Sequence, residues 1–191
     1  MLRARAGTRR LEAHLTKRLD ELRDEARKLK NRIPEHRRLS HEETAVFYSS
    51  WVYSAIRLLT HVPGFQDAES IAGYFALPRA KVASVLEYLV SRGLCEKDAK
   101  GRFGLGTTAT FLDAESPFVQ NLHRNWRLKS LERLATRRDN DFYYSAPCTI
   151  AKKDKDLFRE ELTKFVQEFV KRAKASKAEE LACLNIDWFS F

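Results

Sequence analysis

Apolar residues recur between positions 67 and 106 at the spacings of two helices. The first apolar stretch, over 71–77, stops at Pro78, which has no amide hydrogen and suits the first turn of a new helix. In the helix that follows, apolar residues return at i, i+3, i+4, i+7 and i+8, which predicts one buried face. These residues are Val82, Val85, Leu86, Leu89 and Val90.

A β-hairpin is predicted after this helix. Two short segments, 95–98 and 102–105, flank a turn that contains Gly101. Helix, tight turn, helix and hairpin in this order are typical of a winged helix-turn-helix, whose second helix enters a DNA major groove. The alternative is that this part of the chain is only a small scaffold module.

An amino-terminal helix is predicted over 9–33, where apolar residues alternate at spacings of four and three. This is the seam of a coiled coil, and about three heptads is near the lower limit for a pairing helix. Two interpretations stay open: a helix that forms a homodimer, and an amphipathic helix that packs on its own domain or acts as a linker. The seam residues are Leu15, Leu19, Leu22, Ala26, Leu29 and Ile33.

Two more helices are indicated by their start signals. A capping box over 40–43 opens an aromatic stretch that predicts one long helix over 44–61. A serine–proline pair at 116–117 predicts the start of a basic helix that reaches residue 138.

The carboxy-terminal part is predicted to close as strand, helix, strand, over 142–151, 156–175 and 180–191. Because a sheet of two strands is marginal alone, we expect further strands from a second subunit. The predicted fold class is α+β, mainly α. A basic helix (1–38) precedes a winged helix-turn-helix (39–106) and a carboxy-terminal α/β domain for dimerisation or sensing (107–191).

Most of the positive charge lies outside the predicted winged segment. The chain has 191 residues and a net charge of +9. Residues 1–38 carry 13 Lys and Arg against 6 Asp and Glu, whereas residues 39–106 carry 7 of each. Since Lys and Arg supply most of the non-specific affinity for DNA phosphates, a neutral winged helix binds DNA weakly unless its cations share one face.

Candidate DNA contacts lie on the outer side of the helix after Pro78 and on the hairpin. Arginine and lysine suit guanine or phosphate, and serine accepts either a base or a phosphate. Glu87 works against this assignment because its carboxylate would face a polyanion, and a solvated surface is the alternative. The candidates are Arg79, Lys81, Ser84 and Tyr88 on the helix, with Lys100 and Arg102 on the hairpin.

A second candidate site lies at the end of the basic helix. Arginines four residues apart share a helix face, and their forked guanidinium groups bind phosphate through paired hydrogen bonds. The spacings RxxxR and RxxD resemble arginine motifs that bind cyclic dinucleotides such as cyclic di-GMP in unrelated folds. The alternative is a solvated basic helix end beside its own carboxyl dipole. The residues are Arg133, Arg137, Arg138 and Asp141.

Several functional classes find no support in the sequence. It has no glycine-rich phosphate loop, no GxSxG elbow and no HExxH, so we expect no enzyme. Its three cysteines are far apart and match neither a disulfide framework nor a zinc site, so we expect no cofactor. Apolar runs are too short for a membrane span and no signal core is present, so we expect a cytoplasmic protein.

Three stretches of the chain resemble one bacterial family. They are HEETAVFYSSWVYSAIRLL (41–59), ESIAGYFALPRAKVASVLEYLVSRGLCEKDAKGRF (69–103) and LNIDWFSF (184–191). They are similar to domain-of-unknown-function family 4423, and FYSSW-x-YSAIR is the most specific part. Members are described as regulators of transcription, and many carry an additional amino-terminal helix-turn-helix module, which is not expected within this sequence. The resemblance implies a regulatory role and supplies no catalytic residues.

Two hypotheses follow. The first is a cytoplasmic, dimeric, winged-helix regulator that binds DNA and responds to a small ligand. The second is a module that binds a signal or another protein and does not contact DNA through its winged helix. The family resemblance favours the first hypothesis, and the neutral charge of residues 39–106 favours the second.

Overall fold

The computed structural model describes residues 38–110, 112 and 115–191. These residues form helices and one two-stranded sheet, which confirms the coarse α+β, mainly α class. The predicted helix over 9–33 lies outside them. In chain order the elements are α1 His41–Phe47, α2 Trp51–Leu59, α3 Ala68–Phe75, α4 Arg79–Ser91, β1 Cys95–Lys97, β2 Phe103–Leu105, α5 Val119–Leu134 and α6 Lys155–Ala175.

The hydrophobic core lies between α2, α3 and α4. The apolar stripe predicted for α4 is confirmed, because its inward residues are buried and only Val90 is partly exposed. Burying such side chains removes apolar surface from water, which is the dominant favourable term in folding. The fully buried residues of this core are Phe47, Ile56, Leu59, Ile71, Val82, Leu86, Leu89, Leu94 and Cys95.

A tight turn separates α3 from α4. The last turn of α3 ends at Ala76, whose φ of 52° is left-handed, and α4 begins directly after Pro78. Proline cannot continue a helix from its own amide, so it stops α3 and starts α4 at a new angle. The two helices therefore pack on each other while the outer side of α4 points away from the core.

The first turn of α3 is held by Asp67. Its Oδ1 accepts hydrogen bonds from the amides of Glu69 and Ser70, at 2.9 Å each. These amides have no partner inside the helix, so the carboxylate satisfies groups that otherwise need water. The amide of Ser70 is the main reason that the pKa of Asp67 lies below its ordinary value.

We expect Asp67→Ala to lower the free energy of unfolding by about 1 kcal/mol at neutral pH. Because the folded state lowers the pKa of Asp67, its contribution is present above the ordinary carboxyl pKa and is lost as the pH falls through the lowered value. Urea unfolding at several pH values measures this difference, which should narrow below about pH 4. Asp67→Asn, which retains a capping oxygen, is the control. If the difference in free energy of unfolding between wild type and Asp67→Ala stayed constant down to acidic pH, the assignment of Asp67 as a helix cap would be contradicted.

The long helix predicted over 44–61 is wrong, because the chain bends between α1 and α2. Ser50 accepts a hydrogen bond from the amide of Val52 at 3.4 Å and starts a new helix. Ser49 donates to the carbonyl oxygen of Val46 at 2.7 Å. Serine hydroxyls offer the backbone partners that compete with helical hydrogen bonds, so the serine pair favours a break at this point.

The two carboxy-terminal strands are also wrong. Residues 142–151 and 180–191 run without strand pairing and are fixed to α5 by side chains. The hydroxyl of Tyr143 donates to the Ser130 carbonyl oxygen, and Arg127 binds Asp187. The β preference of aromatic residues reflects packing on a surface more than an intrinsic backbone preference, so α5 satisfies these segments without a sheet. The predicted α/β character of residues 107–191 therefore fails in the part that the structure describes.

The helices in the described ranges fall short of the length and apolar character that crossing a membrane requires.

Candidate nucleic-acid interface

The outer face of α4 is open to solvent. Arg79, Lys81, Ser84 and Glu87 are all exposed. The carboxy-terminal part of the chain docks elsewhere: Asn125 on α5 donates to the Tyr48 carbonyl oxygen at 2.9 Å. Lys81, Ser84 and Glu87 are spaced three residues apart, which places them on one side of α4, so this surface is available to a macromolecule.

The cations at the start of α4 are not equivalent. Arg79 Nε lies 3.1 Å from Glu69 Oε2, and both side chains are more than two-thirds exposed. An ion pair this exposed contributes little, about 0–1 kcal/mol, so a phosphate can replace the carboxylate. Within the described ranges Lys81 has no ion pair, so its charge is directly available.

A cleft of about 310 Å³ lies beside Lys81. It separates the turn between α1 and α2 from α4. Ser49, Ser50 and Tyr53 line one side, and Lys81 and Ser84 line the other. The cleft thus adds hydroxyl groups to the cationic face. Residue spacing does not indicate this neighbour, because the helix break that forms the turn was not predicted.

The predicted hairpin is confirmed. Strands β1 and β2 are antiparallel, with Cys95 opposite Leu105 and Lys97 opposite Phe103. Gly101 adopts a φ of 79° in the turn, where a residue without Cβ is favoured.

The carboxylate of Asp98 organises the cations of the hairpin turn. It accepts hydrogen bonds from the amides of Lys100 and Arg102 at 2.9 Å each and pairs with the Arg102 guanidinium. The Arg102 amide is the main cause that lowers the pKa of Asp98. The charge of Arg102 is therefore balanced in part by the Asp98 carboxylate. Lys100 is exposed and, in the part of the chain described, has no ion pair.

Tyr88 is not on the exposed face, which corrects its assignment as a DNA contact. Its hydroxyl donates to the Glu43 carbonyl oxygen at 2.9 Å, and its ring meets Tyr53 edge-on at 5.3 Å. Arg92 covers the ring, and burial raises the pKa of the phenol. Tyr88 directly follows Glu87, which lies on the outer face of α4. Its side chain is therefore turned toward α1 and α2, where it stabilises their packing.

Arg57 positions the hairpin, a role that was not predicted from the sequence. Its Nε donates to the Leu94 carbonyl oxygen at 3.1 Å, and its Nη2 donates to the Thr108 carbonyl oxygen at 3.3 Å. Burial lowers the pKa of the guanidinium. These bonds tie α2 to the residues before β1 and after β2. The available signal was one arginine within an otherwise apolar helix stretch.

The second candidate site forms a closed turn at the end of α5. Arg133 Nε lies 3.3 Å from Asp141 Oδ2, which also accepts a hydrogen bond from the Arg138 amide at 2.8 Å. The Arg138 amide is the main reason that the pKa of Asp141 is lowered. The structure therefore gives Asp141 a role in the turn and leaves Arg137 and Arg138 exposed. Binding of cyclic di-GMP here stays a prediction, which calorimetry tests.

The family model described as Domain of unknown function (DUF4423) matches residues 30–191. The chain belongs to this family. The resemblance deduced from its sequence is thereby confirmed. No curated protein and no solved structure matches the chain. The description of DUF4423 specifies neither an activity nor a ligand, so the surfaces of this DUF4423 chain are the evidence for its function.

Proposed function

We propose that this DUF4423 chain is a regulator of transcription that binds DNA as a homodimer through a winged helix-turn-helix. In this proposal α3 and α4 are the two helices of the motif, α4 is the recognition helix, and the β1–β2 hairpin is the wing. The observation that carries it is the exposed outer face of α4, which follows a tight turn and precedes the hairpin. A recognition helix must be uncovered on this side to enter a major groove.

The proposed contacts divide into two groups. Arg79, Lys81 and Ser84 on α4 reach base edges or phosphates in the groove, because their side chains point outward from one helix. Lys100 and Arg102 on the hairpin bind the sugar–phosphate backbone, which sets the orientation of the helix without reading sequence. The hydroxyl of Ser50 beside the cleft supplies a further donor for a phosphate oxygen, whereas the Ser49 hydroxyl already donates to the Val46 carbonyl oxygen.

Charge limits the affinity of one copy. Two of the proposed cations already form ion pairs within the chain: Arg79 pairs with Glu69, and Arg102 pairs with Asp98. One chain therefore releases few counterions from DNA, and its affinity is expected to be low at physiological salt. Two copies double the number of phosphate contacts and read two half-sites, which is the usual solution for helix-turn-helix proteins.

We expect the double variant Arg79→Ala with Lys81→Ala to have a much lower affinity for duplex DNA at moderate salt. Each lost phosphate contact lowers the slope of log affinity against log salt by about 0.9, so the slope should fall by about 2. Fluorescence anisotropy with labelled genomic fragments over a range of salt concentrations measures both quantities.

The matched control is Lys152→Ala with Lys153→Ala. It removes the same charge from exposed positions in the 3₁₀ turn before α6. The control should bind DNA as the wild type does. Equal binding by wild type and the α4 variant would exclude α4 as the recognition helix.

A second function is favoured by the same ion pairs. If Arg79 and Arg102 stay with their own carboxylates, the face is nearly neutral and suits a protein partner or a signal molecule. In that case the chain uses the fold without contacting DNA. Anisotropy that shows no salt-dependent binding to any duplex, together with a folded chain by circular dichroism, supports this second function.

A further inference from the structure

The carboxy-terminal part of the chain has no core of its own. None of residues 115–191, all of which the structure describes, is buried. This part also carries sixteen of the nineteen large apolar side chains that are exposed in the described chain. It touches the amino-terminal core only at its margin, through residues such as Phe118, Leu122 and Leu181. A stretch of this length cannot offset its conformational entropy without burying apolar surface.

Helix α6 carries the largest ordered part of this apolar surface. Its apolar residues follow a stripe along the helix, and Phe165 at its centre is 56% exposed. Phe158, Phe165 and Phe169 are seven and four residues apart, and this spacing keeps them on one side of a helix. Together with their neighbours Leu157, Val166 and Val170 they form the α6 face, all of whose residues are exposed, although the Phe158 ring also lies 5.8 Å from the ring of Trp188.

The exposed area of the α6 face matches a standard dimer interface. With about half of each side chain exposed, and roughly 150–250 Å² available for an aromatic residue and somewhat less for leucine or valine, its six side chains expose on the order of 500 Å² of apolar surface. Because about 60% of a protein interface is apolar, this corresponds to roughly 800 Å² of total surface per copy. A standard interface covers about 800 Å² of each partner.

We propose that a second copy of this chain covers the α6 face, with the two α6 helices packed antiparallel around a two-fold axis near Phe165. Permanent cover is required because residues 115–191 lack a core, and a second copy is present wherever the chain is made. This inference deepens the homodimer of the proposed function by assigning its interface.

The charges of α6 favour the antiparallel arrangement. Its first seven residues hold Lys155 and Arg159 with three carboxylates, a net charge of −1, whereas its last five residues hold three cations and no carboxylate, a net charge of +3. Antiparallel packing places the +3 end of one helix beside the −1 end of the other and opposes the helix dipoles. Parallel packing would place the cations of both copies together; they are Lys171, Arg172 and Lys174.

The oligomeric state of the full chain tests the proposal without DNA. Light scattering after gel filtration should give the wild type twice the chain mass of 22.2 kDa. The variant Phe165→Glu with Phe169→Glu should give the single mass, because four carboxylates would enter the interface of each dimer. The control, Gln167→Glu with Lys171→Gln, changes the net charge equally on the opposite side of α6 and should remain dimeric.

Cysteine crosslinking tests the geometry in a chain that retains the aromatic residues. The exposed cysteines are first replaced, as Cys148→Ser and Cys183→Ser. In this background Val166→Cys lies near the proposed axis and should give a crosslinked dimer with a short bismaleimide. Ala173→Cys lies far from its twin in antiparallel packing and should not crosslink.

Four results would overturn the proposal. They are a monomeric wild type, a dimeric Phe165→Glu/Phe169→Glu variant, a control that dissociates equally, and crosslinking through position 173 rather than 166. A dimer that uses residues 1–37 instead would give the second result. Loss of DNA binding in the α4 variant leaves the mass unchanged, so the DNA proposal and the interface proposal can fail independently.

Discussion

Gly106→Ala is expected to lower the free energy of unfolding by about 3 kcal/mol, the upper end of the range for overpacking. Gly106 follows β2, and its amide donates to the Leu94 carbonyl oxygen at 3.0 Å. A Cβ at this position would overlap the Gly93 carbonyl oxygen and lie 2.7 Å from the Gly93 carbonyl carbon and 2.9 Å from that of Leu94. All of these are backbone atoms, so no side-chain rotation relieves the clash.

Urea unfolding at one protein concentration measures the loss. Gly104→Ala is the matched control, because it lies two residues earlier in β2 and a Cβ there meets nothing within 4 Å. The control should stay within about 1 kcal/mol of the wild type, since alanine in an ordinary backbone conformation costs no strain. Equal midpoints for the two variants would show that the end of α4 and the exit of β2 are not in backbone contact.

Leu86→Ala is expected to lower the free energy of unfolding by about 3 kcal/mol, because a fully buried leucine is truncated and leaves a cavity. Leu86 lies on the inner face of α4, in the core that it forms with residues of α2 and α3. Loosening this face also frees the outer face to move, so DNA affinity should fall although no candidate contact is removed.

The comparison for Leu86 is Leu58→Ala on α2, where the leucine is 43% exposed. The same truncation there removes little buried surface and should cost about 0.5 kcal/mol. A similar loss in both variants, measured by urea unfolding, would contradict the location of the core between α2, α3 and α4. The DNA affinity of Leu86→Ala is then measured by fluorescence anisotropy at urea concentrations below its unfolding midpoint. The variant is still folded there, so a loss of binding is not caused by unfolding.

The inner face of α4 was predictable from residue spacing alone. Val82, Leu86 and Leu89 recur with the helical period, and a side chain's position around a helix depends only on the backbone geometry. The start of α4 after Pro78 and the hairpin turn at Gly101 were predictable for the same kind of reason, because each rests on a local restriction of φ.

The outer face of α4 was only partly predictable. Arg79, Lys81 and Ser84 are exposed as the helical period implies, but Tyr88 is half buried because α1 folds against that side. The pairing of Arg79 with Glu69 and the cleft beside Lys81 depend on the angle between helices and on the bend at Ser50. The spacing of residues along the chain does not predict the angle between two helices.

The two predicted strands show where local preference stops. Residues 142–151 have the composition of a strand, but a strand exists only if another strand offers its amides and carbonyls. In this chain α5 offers a surface instead, and Tyr143 bonds to it. Residues 180–191 are likewise bound to α5, because the side-chain amide of Asn185 donates to the Trp126 carbonyl oxygen at 3.3 Å.

The sequence by itself determined α4 with its buried stripe, the turn at Pro78, the hairpin and the neutral charge of residues 39–106, because these properties are local or additive. Only the tertiary structure decided that Arg57 ties α2 to the hairpin, that Gly106 admits no side chain, and that the α6 face lies open. These depend on which distant segments meet, and that choice belongs to the packing of the whole chain.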